Sequence, residues 1–155
     1  MILVLLALGA CNPSDRTPGT WLSGERVDTP VIDWRFSDEQ TEVFLQTSPW
    51  YGIPHSITVV MAATADGVLY VPSIYSEPAE FPGTKYWNRI ISANPELLLK
   101  VGDKLYPRIA RLVESEAEFQ RGFETLAAKY PFWRSALDDE SKRPPFVIIR
   151  LDPPA

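Results

Sequence analysis

The chain has 155 residues and is 45% hydrophobic, enough for one well-packed core and too little for two ordinary domains. A formal charge of -5 argues against a general nucleic-acid binder, because neutralising phosphates takes a clustered surplus of Lys and Arg. One Cys and one His rule out an intramolecular disulfide and argue against a zinc centre built from those ligands.

In chain order, MILVLLALGAC is an apolar run ending in small residues and Cys11. It is too short for a membrane span, which takes about 20 apolar residues, but has the length of a signal core. Leu8-Gly9-Ala10-Cys11 resembles the lipobox of bacterial lipoproteins, in which the Cys thiol is lipidated and becomes the mature N-terminus. That resemblance implies an extracytoplasmic chain lipid-anchored to a bacterial membrane at Cys11. Asn12 to Gly19 lacks apolar residues and reads as a flexible tether, so residues 1–19 form signal and tether and 20–155 the folded domain.

TWLSGERV and TEVFLQT have the β-branched and aromatic content of short strands. SITVVMAATADGVLYVPSI reads as a hairpin turned at Asp66-Gly67, which brings His55 and Ser56 beside Ser73. Lys85 to Ala93 reads as a short helix capped by Thr84 and stopped before Pro95. Leu97, Leu99 and Val101 alternate along a strand that turns back at Gly102-Asp103, and Pro107 predicts an edge or bulge in the return strand. Ser115 and Glu118 form a capping box for a helix with Phe119, Phe123, Leu126 and Tyr130 on one face. Pro131 ends that helix, and FVIIRL is a last buried strand after a polar loop. The expected fold is mainly β with minor α, an antiparallel barrel with two short covering helices.

The chain contains no G-x-G-x-x-G, P-loop or G-x-S-x-G motif, and any Ser-His-Asp triad would rest on His55 alone. What remains is an aromatic and polar set around the first hairpin, Trp50, Tyr51 and His55 before it, Ser73 and Tyr75 leaving it, and Lys85, Trp87 and Arg89 on the short helix. The expected groove is bordered by His55, Ser56, Ser73, Lys85, Trp87 and Arg89. Flat side chains cover a planar ligand while Ser, Lys and Arg hold a phosphate tail. His55 is also the natural iron ligand if the flat ligand is haem.

The order of an ADG turn, YVPS, WNRIISANPELLLKVGDKLY with ARLV, LAAKYPFW and FVIIRLDP, from about Trp50 to Pro153, resembles the flavin-binding split barrels. The likeness is greatest to the deazaflavin-dependent nitroreductase group, then to the pyridoxamine-phosphate-oxidase-like group. It implies a split β-barrel holding FMN or a deazaflavin coenzyme in a groove beside it. Ser73 and Trp87 match the family's Ser on the hairpin and Trp on the helix, and His55 and Ser56 stand where the first barrel strand supplies polar contacts. The family's Lys after that Ser is Ile74 here, and its helix Asn before A-N-P is Ile90. The implied activity is hydride transfer between flavin-type cofactor and a small electron acceptor, in a protein that can form a homodimer. The alternatives are a non-catalytic lipoprotein that binds haem or another flat ligand in the same groove, and an interaction protein with a degenerate groove.

Overall fold

The computed structural model describes residues 15–75, 80–83 and 85–155. The lipobox, Cys11 and the first part of the expected tether lie outside these residues, as does Thr84; the N-cap of the short helix is Lys85, without a side-chain cap bond, rather than the expected Thr84. Among the described residues the chain forms eight strands and three α-helices. They are β1 (Glu25–Arg26), β2 (Val43–Thr47), β3 (His55–Val59), β4 (Ala62–Ala63), β5 (Leu69–Ile74), α1 (Tyr86–Ala93), β6 (Glu96–Val101), β7 (Lys104–Leu112), α2 (Glu116–Lys129), α3 (Pro131–Asp138) and β8 (Phe146–Asp152). The sheet order is β3-β2-β6-β7-β8-β5-β4, with β1 parallel to β7 and all other pairs antiparallel.

The first hairpin differs from the expected one. β3 pairs with β2, from Thr47↔His55 to Val43↔Val59, while β4 pairs with β5. The run from His55 to Ala63 therefore bonds to one end of the sheet order with its first half and to the other end with its second. The sheet is thereby curled into a barrel with a seam between β3 and β5. The turn itself forms: Thr64 N–H bonds Val68 O at 2.9 Å, and Gly67 takes φ +84°, which favours glycine.

Strand alternation divides the core in two. Inward-facing Val43, Leu45, Val71, Leu97, Leu99, Val101, Tyr106, Ile149 and Leu151 fill the barrel, with Trp34 and the α1 residues Trp87 and Ile91 packed into the same cluster. On the outer face Tyr70, Phe146 and Ile148 pack against Phe123, Leu126, Tyr130 and Trp133. A Cβ on Gly122 would stand 3.1–3.2 Å from Ile148 and Tyr70, so glycine lets α2 approach the sheet closely.

α2 begins as expected, with Ser115 Oγ accepting from Glu118 N–H at 3.2 Å. The Glu118 carboxylate accepts from Arg111 and Arg150. Pro131 ends α2 but also begins α3 at its first helical position, where its missing N–H costs nothing, so there are three covering helices rather than two. Trp133 and Ala136 give α3 the buried face that a polar loop would lack.

Pro107 sits at a local edge inside the sheet. β1 pairs with β7 only at Lys104 and Leu105, and β8 only from Ile109 onward. The Asp103 and Leu105 carbonyls accept from β1 and the chain after it, so Pro107, in the same alternation, faces the gap where no neighbour asks for its absent N–H.

The described part of the expected tether lies against the barrel. Asp15 pairs with Lys100 at 2.6 Å, Gly19 and Ser56 exchange backbone hydrogen bonds, and Ser56 Oγ donates to Arg16 O. Composition predicted a free tether because these residues carry no apolar anchor; polar and backbone bonds hold Asp15 to Gly19 instead.

Leu99 is 0% exposed and Phe123 1%. Truncating either to Ala should cost about 2 to 5 kcal/mol in chemical unfolding, as buried large-to-small changes do. A loss under about 0.5 kcal/mol at both would contradict these cores.

Candidate functional site

At the seam β3 and β5 do not pair with each other, although Ser56 of β3 exchanges backbone bonds with Gly19 there, and α1 lies across it. Tyr86 meets His55 of β3 edge to face, with ring centroids 4.9 Å apart. Asn88 meets Ser73 of β5: the Ser73 hydroxyl accepts from Asn88 Nδ2 at 3.0 Å and donates to Oδ1 at 3.1 Å, with both side chains buried. Trp87 and Ile91 point into the barrel mouth. A helix of eight residues is marginal alone, and these contacts fix it.

Between α1 and the seam runs a groove of about 350 Å³ lined by His55, Ile57, Thr58, Val59, Pro72, Lys85, Tyr86 and Trp87. A further hollow of about 290 Å³ shares Pro72 and Lys85 and adds Phe132 and Trp133. Lys85 thus stands where the two meet. Partial burial there lowers its pKa from 10.5, although much of the side chain remains exposed. Among the described residues no carboxylate pairs with it.

The six sequence-derived residues fall into three groups. His55, Lys85 and Trp87 line the groove. Arg89 lies on the other side of Tyr86, its guanidinium 5.3 Å over that ring, in a hollow of about 400 Å³ with Trp50, Ile90 and Ala93. Ser56 and Ser73 are both fully buried. Ser56 alternates with His55 and so faces the other side of β3, under the Arg16–Gly19 segment. Ser73 is turned to Asn88.

The sequence reading missed Tyr86, Asn88 and Pro72. Tyr86 and Asn88 stand beside predicted Lys85 and Trp87, but one helix turn spreads its residues around every direction, and only the position of the seam says which face is used. The Tyr86 and Tyr51 hydroxyls share a hydrogen bond of 2.8 Å, and where Tyr51 donates it the bond favours the neutral phenol and raises the Tyr51 pKa.

His55 Nδ1 is buried and has no hydrogen-bond partner among the described residues. An orphaned imidazole nitrogen, aromatic walls and a cation without a carboxylate form a donor set that fits a flat ring system with an anionic tail. Among the described residues no cluster of three or more His, Cys, Asp or Glu could hold a metal ion.

No protein-family model matches the sequence, and no curated protein matches it. Solved structures do. An F420-H2 dependent reductase superposes with a TM-score of 0.52 at 19% identity, over 80% of this chain and 99% of that one. A FAD-binding protein from Mesorhizobium loti gives 0.51 at 13% identity, over 78% and 86%. The heme storage protein HutZ from Vibrio cholerae gives 0.56 at 15% identity, over 78% and 87%. The fold shared with these structures is a split β-barrel. The β3–β5 seam of this split barrel is thus covered by one helix, hydrogen-bonded to β5 and in ring contact with β3.

Removing either partner of the Ser73–Asn88 pair leaves the other buried and unsatisfied. Ser73→Ala and Asn88→Ala should each destabilise by about 1 to 3 kcal/mol. Their double-mutant cycle should show coupling of about 0.5 kcal/mol or more, read by chemical unfolding. Strict additivity would mean that the pair does not tie α1 to β5.

Proposed function

We propose that this split barrel binds FMN or a deazaflavin in the β3–β5 groove and transfers a hydride between it and a small electron acceptor. The observation that carries this reading is the Lys85 ammonium at one end of a groove walled by Tyr86 and Trp87, into which His55 brings a nitrogen without a partner. A bound flavin would supply the redox chemistry, which is consistent with the lack of any acid–base dyad in the sequence. The chain's residues do the rest. Trp87 and Ile57 give the ring an apolar wall, and His55 Nδ1 exchanges a hydrogen bond with its polar edge. Lys85 holds the anionic tail by charge-assisted hydrogen bonds, and Arg89 adds positive charge from beyond Tyr86. Ser56 and Ser73 act from below, holding β3 and α1 in place. A second copy of the chain would cover Trp50, Tyr51 and Ile53, which are exposed beside this site, and complete its outer wall.

A second reading is favoured by His55 specifically: as the only imidazole, with a free nitrogen in an aromatic groove, it suits the iron of haem. In that case the protein stores or carries the ligand and catalyses nothing.

Titration with FMN, a deazaflavin and haem, followed by absorption and fluorescence quenching, separates the readings. Flavin binding should be saturable and weakened about tenfold or more by Lys85→Ala, with the ligand-free melting temperature nearly unchanged. Arg89→Ala should have a smaller effect. Binding of haem alone, abolished by His55→Ala, would replace the first reading by the second.

The same protein is proposed to be held at a bacterial membrane surface, outside the cytoplasm, by lipid on Cys11. Cys11→Ala should release it to the soluble extracytoplasmic fraction. Intact mass of membrane-derived protein carrying an unmodified Cys11 would contradict the anchor.

A further inference from the structure

Arg108 is the only buried charged side chain among the described residues, 7% exposed. It lies on the inward-facing alternation of β7, between Tyr106 and Ala110. Its guanidinium stacks 4.8 Å over the Trp34 ring, and Nη1 donates to the Pro107 carbonyl at 3.0 Å. Nε is buried with no acceptor. No carboxylate of the described residues pairs with it; the nearby Asp152 is taken by Arg111 and Arg150. A guanidinium has five N–H donors and stays charged, so burying it with one carbonyl acceptor is costly unless an anion completes the site.

The surroundings are built for such an anion. Pro107 leaves the sheet open between β1 and β8, and at this gap Arg108, although on the inward alternation, borders not only a cavity beside Trp34 but also one of about 340 Å³ on the Leu98–Pro107 side. Gln46 also lines it; its Oε1 accepts from Leu22 N–H at 2.6 Å, which leaves the amide N–H₂ to donate. Leu98, Pro107 and Ile109 supply apolar walls. Arg26 is matched by Asp28 at 2.7 Å, so Arg108 is the cation left over. The carboxylates of Asp28 and Glu96 at the rim oppose a doubly charged ligand such as phosphate.

We propose that this cavity binds a small organic monocarboxylate, with its carboxylate on the Arg108 guanidinium and the Gln46 amide, and its apolar body against Leu98, Pro107 and Ile109. The planar fork of Arg matches a carboxylate in two parallel hydrogen bonds. The cavity shares no lining residue with the β3–β5 groove, so the site stands whether or not that groove binds a flavin.

Isothermal titration of the full chain with butyrate, n-butanol and inorganic phosphate tests this. Butyrate should bind saturably with a Kd of about 1 mM or below, n-butanol should not bind, and phosphate should bind more weakly than butyrate. Arg108→Met should weaken butyrate at least about tenfold, while Lys85→Ala leaves it unchanged. The butyrate and n-butanol comparison on the unaltered chain decides the matter even if Arg108→Met does not fold. Absence of saturable butyrate binding, equal binding of n-butanol, tighter binding of phosphate, or an unaffected Arg108→Met would each overturn the proposal.

Discussion

Nine residues, His55 to Ala63, cannot hydrogen-bond along their whole length to one neighbour, because their first half belongs to β2 and their second to β5. This divided pairing curls the sheet and opens the seam. Backbone groups and apolar side chains at a seam need cover, since neither is cheaply left between sheet edge and water. The α1 helix provides it, and its place is set by two contacts of different kind: the buried Ser73–Asn88 hydrogen bonds on β5 and the Tyr86–His55 ring contact on β3. A groove remains because a cylinder laid over a gap cannot fill both of its shoulders.

The same division of labour explains why the groove can carry polar residues without loss of stability. Stability resides mainly in two apolar clusters, one inside the barrel, which meets the groove only at Trp87, Ile57 and Val59, and one where α2 and α3 cover β5 and β8. Burial of large side chains there, each contributing about 1.5 to 3 kcal/mol, leaves His55 and Lys85 free to be placed for binding rather than packing. The region around Pro107 is a second opening with a different cause, a missing donor in mid-strand, and there too a polar side chain, Arg108, fills the break.

Much of the fold was legible because it depends on local rules. Leu97, Leu99 and Val101 alternate as a strand requires, Ser115 caps α2, and Gly67 and Gly102 take the positive φ their turns need. Other features were not local. Nothing in SITVVMAATADGVLYVPSI tells that its first half pairs with β2, since that choice is made by sheet closure. The α3 helix was hidden because Pro131 is read equally well as a stop and as a first helical residue. At the site, residue type pointed to His55, Lys85 and Trp87, which do share a groove. It could not separate them from Ser56 and Ser73, whose orientation follows from strand alternation and from Asn88, nor from Arg89, which lies beyond Tyr86.

The central claim is that the seam and its covering helix form the ligand site. Amide hydrogen exchange with and without FMN, or with the deazaflavin or haem if either binds more tightly, addresses it directly, because it reads the whole backbone without altering a residue. Ligand should slow exchange in His55–Val59, in Val71–Ile74 and along Tyr86–Ala93, and leave α2 and α3 as they were. Protection confined to β7 and β8 around Arg108, or spread over α2 and α3 with the seam unchanged, would contradict it.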